Sequence, residues 1–109
     1  MSNEPPAGSI THQAYFWLNA PGSEADRAAL IAGLQTLRGI AEIRTYQIGT
    51  PASTEQRDVV DGSFDVSELM TFESIAHQEA YQVHPLHQAF IEACSPLWAR
   101  VVVYDSLIV

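Results

Sequence analysis

Residues 10–39, ITHQAYFWLNAPGSEADRAALIAGLQTLRG, decide the fold because they pass from a strand pattern through a turn into a helix pattern. Ile10–Leu18 is rich in β-branched and aromatic residues, which is typical of a β-strand. After the Pro-Gly turn, Ser23 stands three residues before Asp26, a spacing that predicts the start of a helix. Three leucines spaced i, i+4 and i+7 then share one helix face. The stretch therefore predicts a strand followed by an amphipathic helix, which Gly39 is expected to end.

Strand and helix patterns alternate through the rest of the chain. Three further stretches favour strands: 40–48 (IAEIRTYQI), 64–72 (FDVSELMTF) and 98–109 (WARVVVYDSLIV). Helical patterns run from 73 to about 82 and again from Pro85, which suits the first position of a helix capped by His84. The order β-α-β-β-α-α-β predicts an α+β fold of the ferredoxin-like, split βαβ type. Such a fold has a four-stranded antiparallel sheet with its helices on one face.

The length and composition predict one globular domain. A chain of 109 residues is close to the commonest domain size, and 47% hydrophobic residues can bury a sizeable core. Residues 1–9 contain two prolines and a glycine and are predicted to form a loose tail, which leaves 10–109 as the domain. The polar segment 49–63 is predicted to be a long loop, and long loops are uncommon unless they are functional or mobile.

The charge and cysteine content exclude several classes of function. Thirteen acidic residues against five arginines give a net charge of −8, so we expect no sequence-independent binding to nucleic acid. The chain has no lysine, which excludes Schiff-base chemistry and pyridoxal-phosphate attachment. Cys94 is the only cysteine, so neither an internal disulfide nor a Cys-rich metal site can form.

The sequence gives no indication of export or of a membrane span. The N-terminal residues MSNEPPAGSI lack the basic and apolar regions of a signal peptide. No apolar run approaches the roughly 20 residues that a spanning helix needs. We therefore expect no membrane partner and, with one free thiol, a reducing cytoplasmic location.

The apolar residues of the first and last strands lie on both faces of the predicted sheet. The helices can cover only one face, so the other would expose a large apolar patch. A second copy of the chain, packed sheet to sheet, would cover it. We therefore predict a homodimer, with Val101, Val103 and Trp98 in its interface.

Two of the four histidines, His84 and His87, have the i, i+3 spacing that can place two metal ligands on one helix face. No third ligand stands at a matching position, and a helix cap explains His84 equally well. We therefore predict no tightly bound metal and no cofactor, while a weakly held divalent cation at the acidic surface stays open.

Tyr81 and His87 lie on either side of the break that Pro85 imposes on the helical pattern. A neutral imidazole is a competent general base near pH 7, and a phenol can donate a hydrogen bond to an oxyanion. The same two residues are also typical of a core tyrosine and a histidine near a helix end. The spacing alone leaves both interpretations open.

A longer set of residues resembles the stress-responsive α/β-barrel domain (Dabb) family. It comprises MTFES at 70–74, YQVHPLH at 81–87, Trp98 and VYD at 103–105, with His12 on the first strand. The resemblance covers about residues 10 to 107. It implies a dimer in which two sheets close into an α/β barrel.

The resemblance also implies candidate site residues. Plant polyketide cyclases of the olivetolic acid type use a tyrosine and a histidine from the same segment, and these match Tyr81 and His87. The implied roles are a general base for His87 and a carbonyl-polarising group for Tyr81. His12, His84, Phe90 and Trp98 are expected to bind the substrate.

Three functions remain open on the sequence. The first is a dimeric protein without assigned activity that binds a small apolar or aromatic molecule between sheet and helices. The second is a cofactor-independent cyclase or lyase that acts on a polyketide-like or aromatic substrate. The third, a monooxygenase-like activity, rests on fold analogy alone.

Overall fold

A computed structural model of the chain describes residues 4–109, so the first three residues of the predicted tail lie outside the described part. It contains four strands and three α-helices in the order β1-α1-β2-β3-α2-α3-β4. Their bounds are Ile10–Leu18 (β1), Glu24–Gln35 (α1), Thr45–Gly49 (β2), Val66–Phe72 (β3), Ile75–Gln82 (α2), Pro85–Cys94 (α3) and Trp98–Leu107 (β4). The strands form one antiparallel sheet in the order β2-β3-β1-β4. The predicted ferredoxin-like architecture is confirmed.

Polar side chains begin each helix by accepting a backbone N–H that has no partner within the helix. The Ser23 hydroxyl accepts from the N–H of Asp26, as predicted, and Ser74 does the same for α2. His84 caps α3, and Pro85 is its first residue. These caps fix the break between α2 and α3, which positions the site described below.

Four elements have bounds that differ from the predictions. The segment predicted as a strand over 40–48 becomes extended only at Thr45, because Ile40 is buried at a turn and its carbonyl accepts from the N–H of Ile43. Helix α1 ends at Gln35, and a 3₁₀ turn over Thr36–Gly39 replaces its predicted last turn. The strands predicted over 64–72 and 98–109 are shortened to β3 and β4.

The end of the predicted tail is joined to the end of the chain. The N–H of Gly8 donates to the carbonyl of Ile108, whose own N–H donates to the carbonyl of Ser9. Ser9 is buried. The backbone is therefore held against the sheet at two residues before β1 begins.

The core lies between the helices and one face of the sheet. Burial alternates along β1, so that every second residue from Ile10 to Leu18 faces the helices. Leucines of α1, Tyr81 of α2 and Phe90 of α3 pack onto that face. Each fully buried side chain of this size contributes about 1.5–3 kcal/mol to stability.

The register of β4 corrects the expected position of two valines. Val101 pairs with Phe16 and Val103 with Ala14, so both valines lie on the face that the helices cover. They therefore do not point toward a partner on the other side of the sheet. The face without helices, called the open face below, presents different side chains, among them Tyr15, Trp17, Val102 and Tyr104.

Over residues 4–109, none of the helices is long and apolar enough to cross a membrane.

Candidate functional site

A pocket of about 220 Å³ lies between the helix-covered face of the sheet and the helices α2 and α3. Five of the residues predicted from the sequence line it: His12, Tyr81, His87, Phe90 and Trp98. The sixth, His84, is not among the lining residues. Its Nδ1 accepts the backbone N–H of Leu86 and so caps α3.

The break between α2 and α3 brings Tyr81 and His87 together. Tyr81 lies in the last turn of α2, where its buried ring packs 5.3 Å from the ring of Phe72. His87 lies in the first turn of α3, and the centroids of its ring and the Tyr81 ring are 4.5 Å apart. The two side chains therefore lie together in the fold, as the break in the helical pattern suggested.

His87 is held as a neutral imidazole with one free nitrogen. Its Nδ1 lies 3.2 Å from the carbonyl oxygen of Gln82, so the Nδ1–H donates there and the lone pair stays on Nε2. Burial lowers the pKa of His87, although the Gln82 carbonyl and the charge of Glu68 oppose the effect. Nε2 is consequently free to accept a proton near neutral pH.

Tyr81 supplies a protonated hydroxyl. Burial and the negative charges of Glu68 and Asp105 raise its pKa well above the ordinary value, so the phenol keeps its proton. Within residues 4–109 the hydroxyl has no hydrogen-bond partner. It is therefore available to donate to a ligand.

His12 lies against Tyr81 as His87 does, but its pKa is shifted upward, whereas that of His87 is shifted downward. Its ring centroid is 5.8 Å from that of Tyr81, and its Nδ1 lies 2.7 Å from a carboxylate oxygen of Asp105. Its Nε2 lies 3.8 Å from an oxygen of Glu68. Burial by itself favours the neutral ring, but the two acidic partners outweigh it and raise the pKa of His12.

The sequence analysis missed two acidic residues of this site, Glu68 and Asp105. Glu68 is in phase with Val66 and Met70, which are buried, so strict alternation along β3 could have identified it as a buried carboxylate. Asp105 is likewise in phase with Val103, and it also accepts a hydrogen bond of 3.0 Å from Gln78.

Tyr46 is a third residue that sequence reasoning missed, because only the folded chain brings β2 beside β3. Its hydroxyl lies 2.7 Å from the second oxygen of Glu68 and 3.1 Å from the carbonyl of Leu34 at the end of α1. Local sequence gives no signal for either contact.

Aromatic rings form the apolar wall of the pocket. The rings of Phe90 and Trp98 are 5.7 Å apart, and Phe16 lies 5.1 Å from Trp98. Val101 and Val103 complete this wall, and all three β4 residues that were expected in a dimer interface, including Trp98, therefore lie on the helix-covered face. The pocket thus has an apolar side suited to an aromatic ring and a polar side formed by two histidines, a phenol and a carboxylate.

A larger cavity, of about 620 Å³, lies on the open face beneath the loop 49–63. Arg100 lies 4.5 Å from the Trp17 ring centroid, and the Trp17 N–H donates to Ser63. This cavity contains no histidine and belongs to the face that a second copy would cover. The smaller pocket is therefore the better candidate for chemistry.

Over residues 4–109, no group of three or more His, Cys, Asp or Glu side chains is placed to hold a metal ion. His84 and His87, the pair that was considered on the sequence, have separate roles at the start of α3.

The family model of the stress responsive A/B barrel domain matches residues 10–108. The chain belongs to this family. The match confirms the resemblance that the residues of the 81–87 segment indicated. A comparison with curated proteins found no match.

Solved structures of similar fold include both an enzyme and proteins without assigned function. A hydroxynitrile lyase from Passiflora edulis is 24% identical, with a TM-score of 0.78 over 95% of this chain and 96% of that one. A dimeric ferredoxin-like protein of unknown function from Thermobifida fusca is 22% identical, with a TM-score of 0.77 over 98% and 97%. A Dabb family protein from Mesorhizobium loti is 18% identical, with a TM-score of 0.75 over 94% and 98%. At these identities the likeness shows the fold alone.

Proposed function

We propose that this chain is a cofactor-independent enzyme that removes a proton next to the carbonyl group of a small aromatic compound. In this proposal His87 is the general base and Tyr81 donates a hydrogen bond to the carbonyl oxygen. The main observation in favour of this proposal is the placement of His87 beside Tyr81. An imidazole with a free Nε2 and a phenol without a protein partner in the described chain lie 4.5 Å apart, between ring centroids, in one pocket.

The size of the pocket supports a small ligand. An apolar cavity of about 150 Å³ binds benzene. A volume of about 220 Å³ therefore has room for one aromatic ring with a short polar substituent. The rings of Phe16, Phe90 and Trp98 offer that ring edge and face contacts.

The charges of the site favour a neutral ligand over an anion. Glu68 and Asp105 both lie beside His12, so two carboxylates accompany one imidazole at the polar end. The whole chain also carries a net charge of −8. A carboxylate ligand would meet both kinds of repulsion.

The proposed reaction forms and breaks few bonds. Nε2 of His87 takes a proton from the carbon next to the carbonyl, and the electron pair of that C–H bond moves to give an enolate. The negative charge then rests on the oxygen that Tyr81 contacts. Return of a proton to the carbon regenerates the starting compound, so exchange with solvent deuterium reports this step alone.

The test uses phenylacetaldehyde, a neutral aromatic aldehyde with protons next to the carbonyl. We expect the protein to accelerate the exchange of these protons in D₂O, followed by NMR, and to bind phenylacetate more weakly. The chain has no lysine, so imine formation on side-chain amines does not contribute. Binding without accelerated exchange would indicate a ligand-binding protein instead of an enzyme.

We further propose that two copies pack with their open faces together. Tyr104 is 61% exposed there and contacts the ring of Tyr15, which gives an apolar surface that a second sheet would bury. The similar protein from Thermobifida fusca is described as dimeric, which supports a homodimer. Obligate dimers of this kind bury more than about 2,000 Å² in total.

Sedimentation is expected to give twice the 12.0 kDa mass of the chain at micromolar concentration. Tyr104→Glu is expected to shift the equilibrium toward the monomer, because it places a charge in the interface. Ile75→Glu is the matched control, since Ile75 is an exposed apolar residue at the start of α2, away from the open face. A wild-type monomer, or equal effects of the two substitutions, would contradict the proposal.

A cytoplasmic location remains part of the proposal. Cys94, the only cysteine, is buried beside α1 and cannot form an internal disulfide, so the fold does not depend on an oxidising compartment.

A further inference from the structure

Glu68 is a carboxylate in a position where an apolar side chain would be expected. It lies in the middle of β3 on the face that the helices cover, between Val66 and Met70, and only 4% of its surface is exposed. Removing a carboxylate from water is costly unless charged and hydrogen-bonding partners compensate. Its partners are the Tyr46 hydroxyl on one oxygen and, on the other, the Nε2 side of His12.

Both ring nitrogens of His12 face carboxylates. Nδ1 lies 2.7 Å from Asp105 and Nε2 lies 3.8 Å from Glu68. A neutral imidazole carries a proton on one nitrogen and would direct the lone pair of the other toward an acid. Only the doubly protonated ring presents an N–H on both sides.

The two carboxylates are not equivalent. The Asp105 side chain is 47% exposed and also accepts from Gln78, so solvent screens its charge. The Glu68 side chain is 3% exposed, and its charge acts on His12 through the protein interior. Glu68 is therefore the less screened of the two carboxylates, and it raises the pKa of His12 more than Asp105 does.

We infer that Glu68 is a positioning residue that keeps His12 as an imidazolium, so that the pocket holds a cationic N–H donor on β1 opposite the neutral base His87 on α3. Tyr81 lies between the two rings. The negative oxygen that forms in the proposed reaction would then meet the Tyr81 hydroxyl with the His12 charge behind it. This role in the reaction rests on the proposed function, whereas the charge state of His12 does not.

The other ionisable groups around His12 do not replace Glu68. From α2 the Tyr81 phenol faces His12 and keeps its proton, and from α3 the His87 ring is neutral near pH 7. Asp105 faces it from β4, as described above. On β2, Tyr46 reaches His12 only through Glu68, and burial keeps its phenol protonated. Glu68 is thus the one fully buried acid against the ring within residues 4–109.

The first test is an NMR titration of the histidine rings in wild-type protein and in Glu68→Gln. Glutamine keeps the size of the side chain and an oxygen for the Tyr46 hydroxyl, but it removes the charge. We expect the His12 midpoint to lie above the ordinary 6.5 in wild type and to fall by about 1 or more in the variant. The His87 midpoint should fall less than that of His12, because Glu68 acts on His87 only through its charge and makes no hydrogen bond with it.

The matched control is Glu73→Gln. An oxygen of Glu73 lies 3.8 Å from Nε2 of His77, the same separation as in the Glu68–His12 pair, but Glu73 is 65% exposed. Glu73→Gln should leave the His12 midpoint in place, because it removes an exposed carboxylate that does not face the His12 ring.

The second test is the pH dependence of the exchange reaction. The reaction needs His87 without its proton and His12 with it. The rate should therefore fall at low pH as His87 gains a proton, and at high pH as His12 loses one. Glu68→Gln should move the alkaline limb toward lower pH, and by more than it moves the acid limb, because Glu68 raises the pKa of His12 through a direct contact and that of His87 only through its charge. A loss of rate at all pH values with both limbs unmoved would mean a structural role and would overturn the inference.

A wild-type His12 midpoint below 6.5, or one that Glu68→Gln leaves in place, would also overturn it. The wild-type titration decides the question even if the variant does not fold. If His12 titrates as expected but phenylacetaldehyde shows no accelerated exchange, the proposed function fails and the assignment of Glu68 stands.

Discussion

Replacing His87 with alanine is expected to lower the rate of exchange next to the carbonyl of phenylacetaldehyde by about 10²–10⁴-fold, the range that general-base catalysis contributes. The physical reason is the free Nε2 of His87. Among the described residues that line the pocket, His12 and Glu68 are the other possible bases, and both face protein partners. The fold should persist, because His87 is only half-buried and its substitution should change the free energy of unfolding by about 1 kcal/mol.

His77→Ala is the matched control for this substitution. His77 is also a histidine in the first turn of a helix, but it lies outside the pocket and bonds with Ser74. Its removal should leave the exchange rate unchanged. Equal rates in the two variants would mean that His87 is not the base.

Tyr81→Phe separates the hydroxyl from the ring. The phenylalanine ring can keep the packing against Phe72, so stability should be preserved while the hydrogen bond to the carbonyl oxygen is lost. We expect a smaller loss of rate than for His87→Ala. If instead both substitutions lower the melting temperature and leave ligand affinity unchanged, the pair has a structural role.

The order of elements was predictable because each one carries its own local signal. Alternating apolar residues define β1, Ser23 and Ser74 begin two helices with side-chain caps, and Pro85 fixes the start of α3. The positions of Tyr81 and His87 followed from the same break. Elements whose conformation depends on residues close in sequence could therefore be predicted from the sequence.

The start of β2 was not predictable from local pattern. Ile40 and Ile43 alternate with polar residues as they would in a strand, but Ile40 enters the core from a turn after the 3₁₀ segment. Periodicity reports which side chains are buried and not which backbone conformation buries them. The strand therefore begins five residues later than the pattern indicated.

The electrostatic half of the site could not be predicted for a related reason. Glu68, Asp105 and Tyr46 come from three strands, and their effect on His12 depends on the register between those strands. A one-residue change in register would place Val101 and Val103 on the open face, as the sequence analysis expected, and would remove Asp105 from His12. Register is a property of the whole sheet, and the sequence of one strand does not specify it.

Replacing Asp65, which lies between the loop 49–63 and β3, is expected to cause a large loss of stability. One oxygen of its carboxylate accepts the N–H of Leu18 at 2.9 Å. The other accepts the N–H of Gly22 at 3.3 Å and lies 3.5 Å from the guanidinium of Arg27. The carboxylate thus joins the residue before β3 to the end of β1 and to the turn before α1.

Asp65→Ala should lower the free energy of unfolding by about 3 kcal/mol, because it leaves a buried N–H and a partly buried guanidinium without their partner. Urea denaturation at a fixed protein concentration measures this loss, and the concentration is held constant because dimerisation adds to apparent stability. Asp58→Ala is the control: Asp58 is exposed in the loop and makes no hydrogen bond or ion pair with the described residues. Its substitution should change stability by less than about 0.5 kcal/mol.

Asp65→Asn distinguishes the two contributions. The asparagine oxygen can still accept the N–H of Leu18, but the charge opposite Arg27 is gone. If the backbone hydrogen bonds dominate, the asparagine variant should recover more than half of the loss measured for Asp65→Ala. If the charge dominates, the two variants should be equally destabilised, and Arg27→Met should then partly restore the stability of Asp65→Ala by removing the unpaired guanidinium. An Asp65→Ala protein as stable as Asp58→Ala would show that this carboxylate does not join the start of β3 to β1 and to the turn before α1.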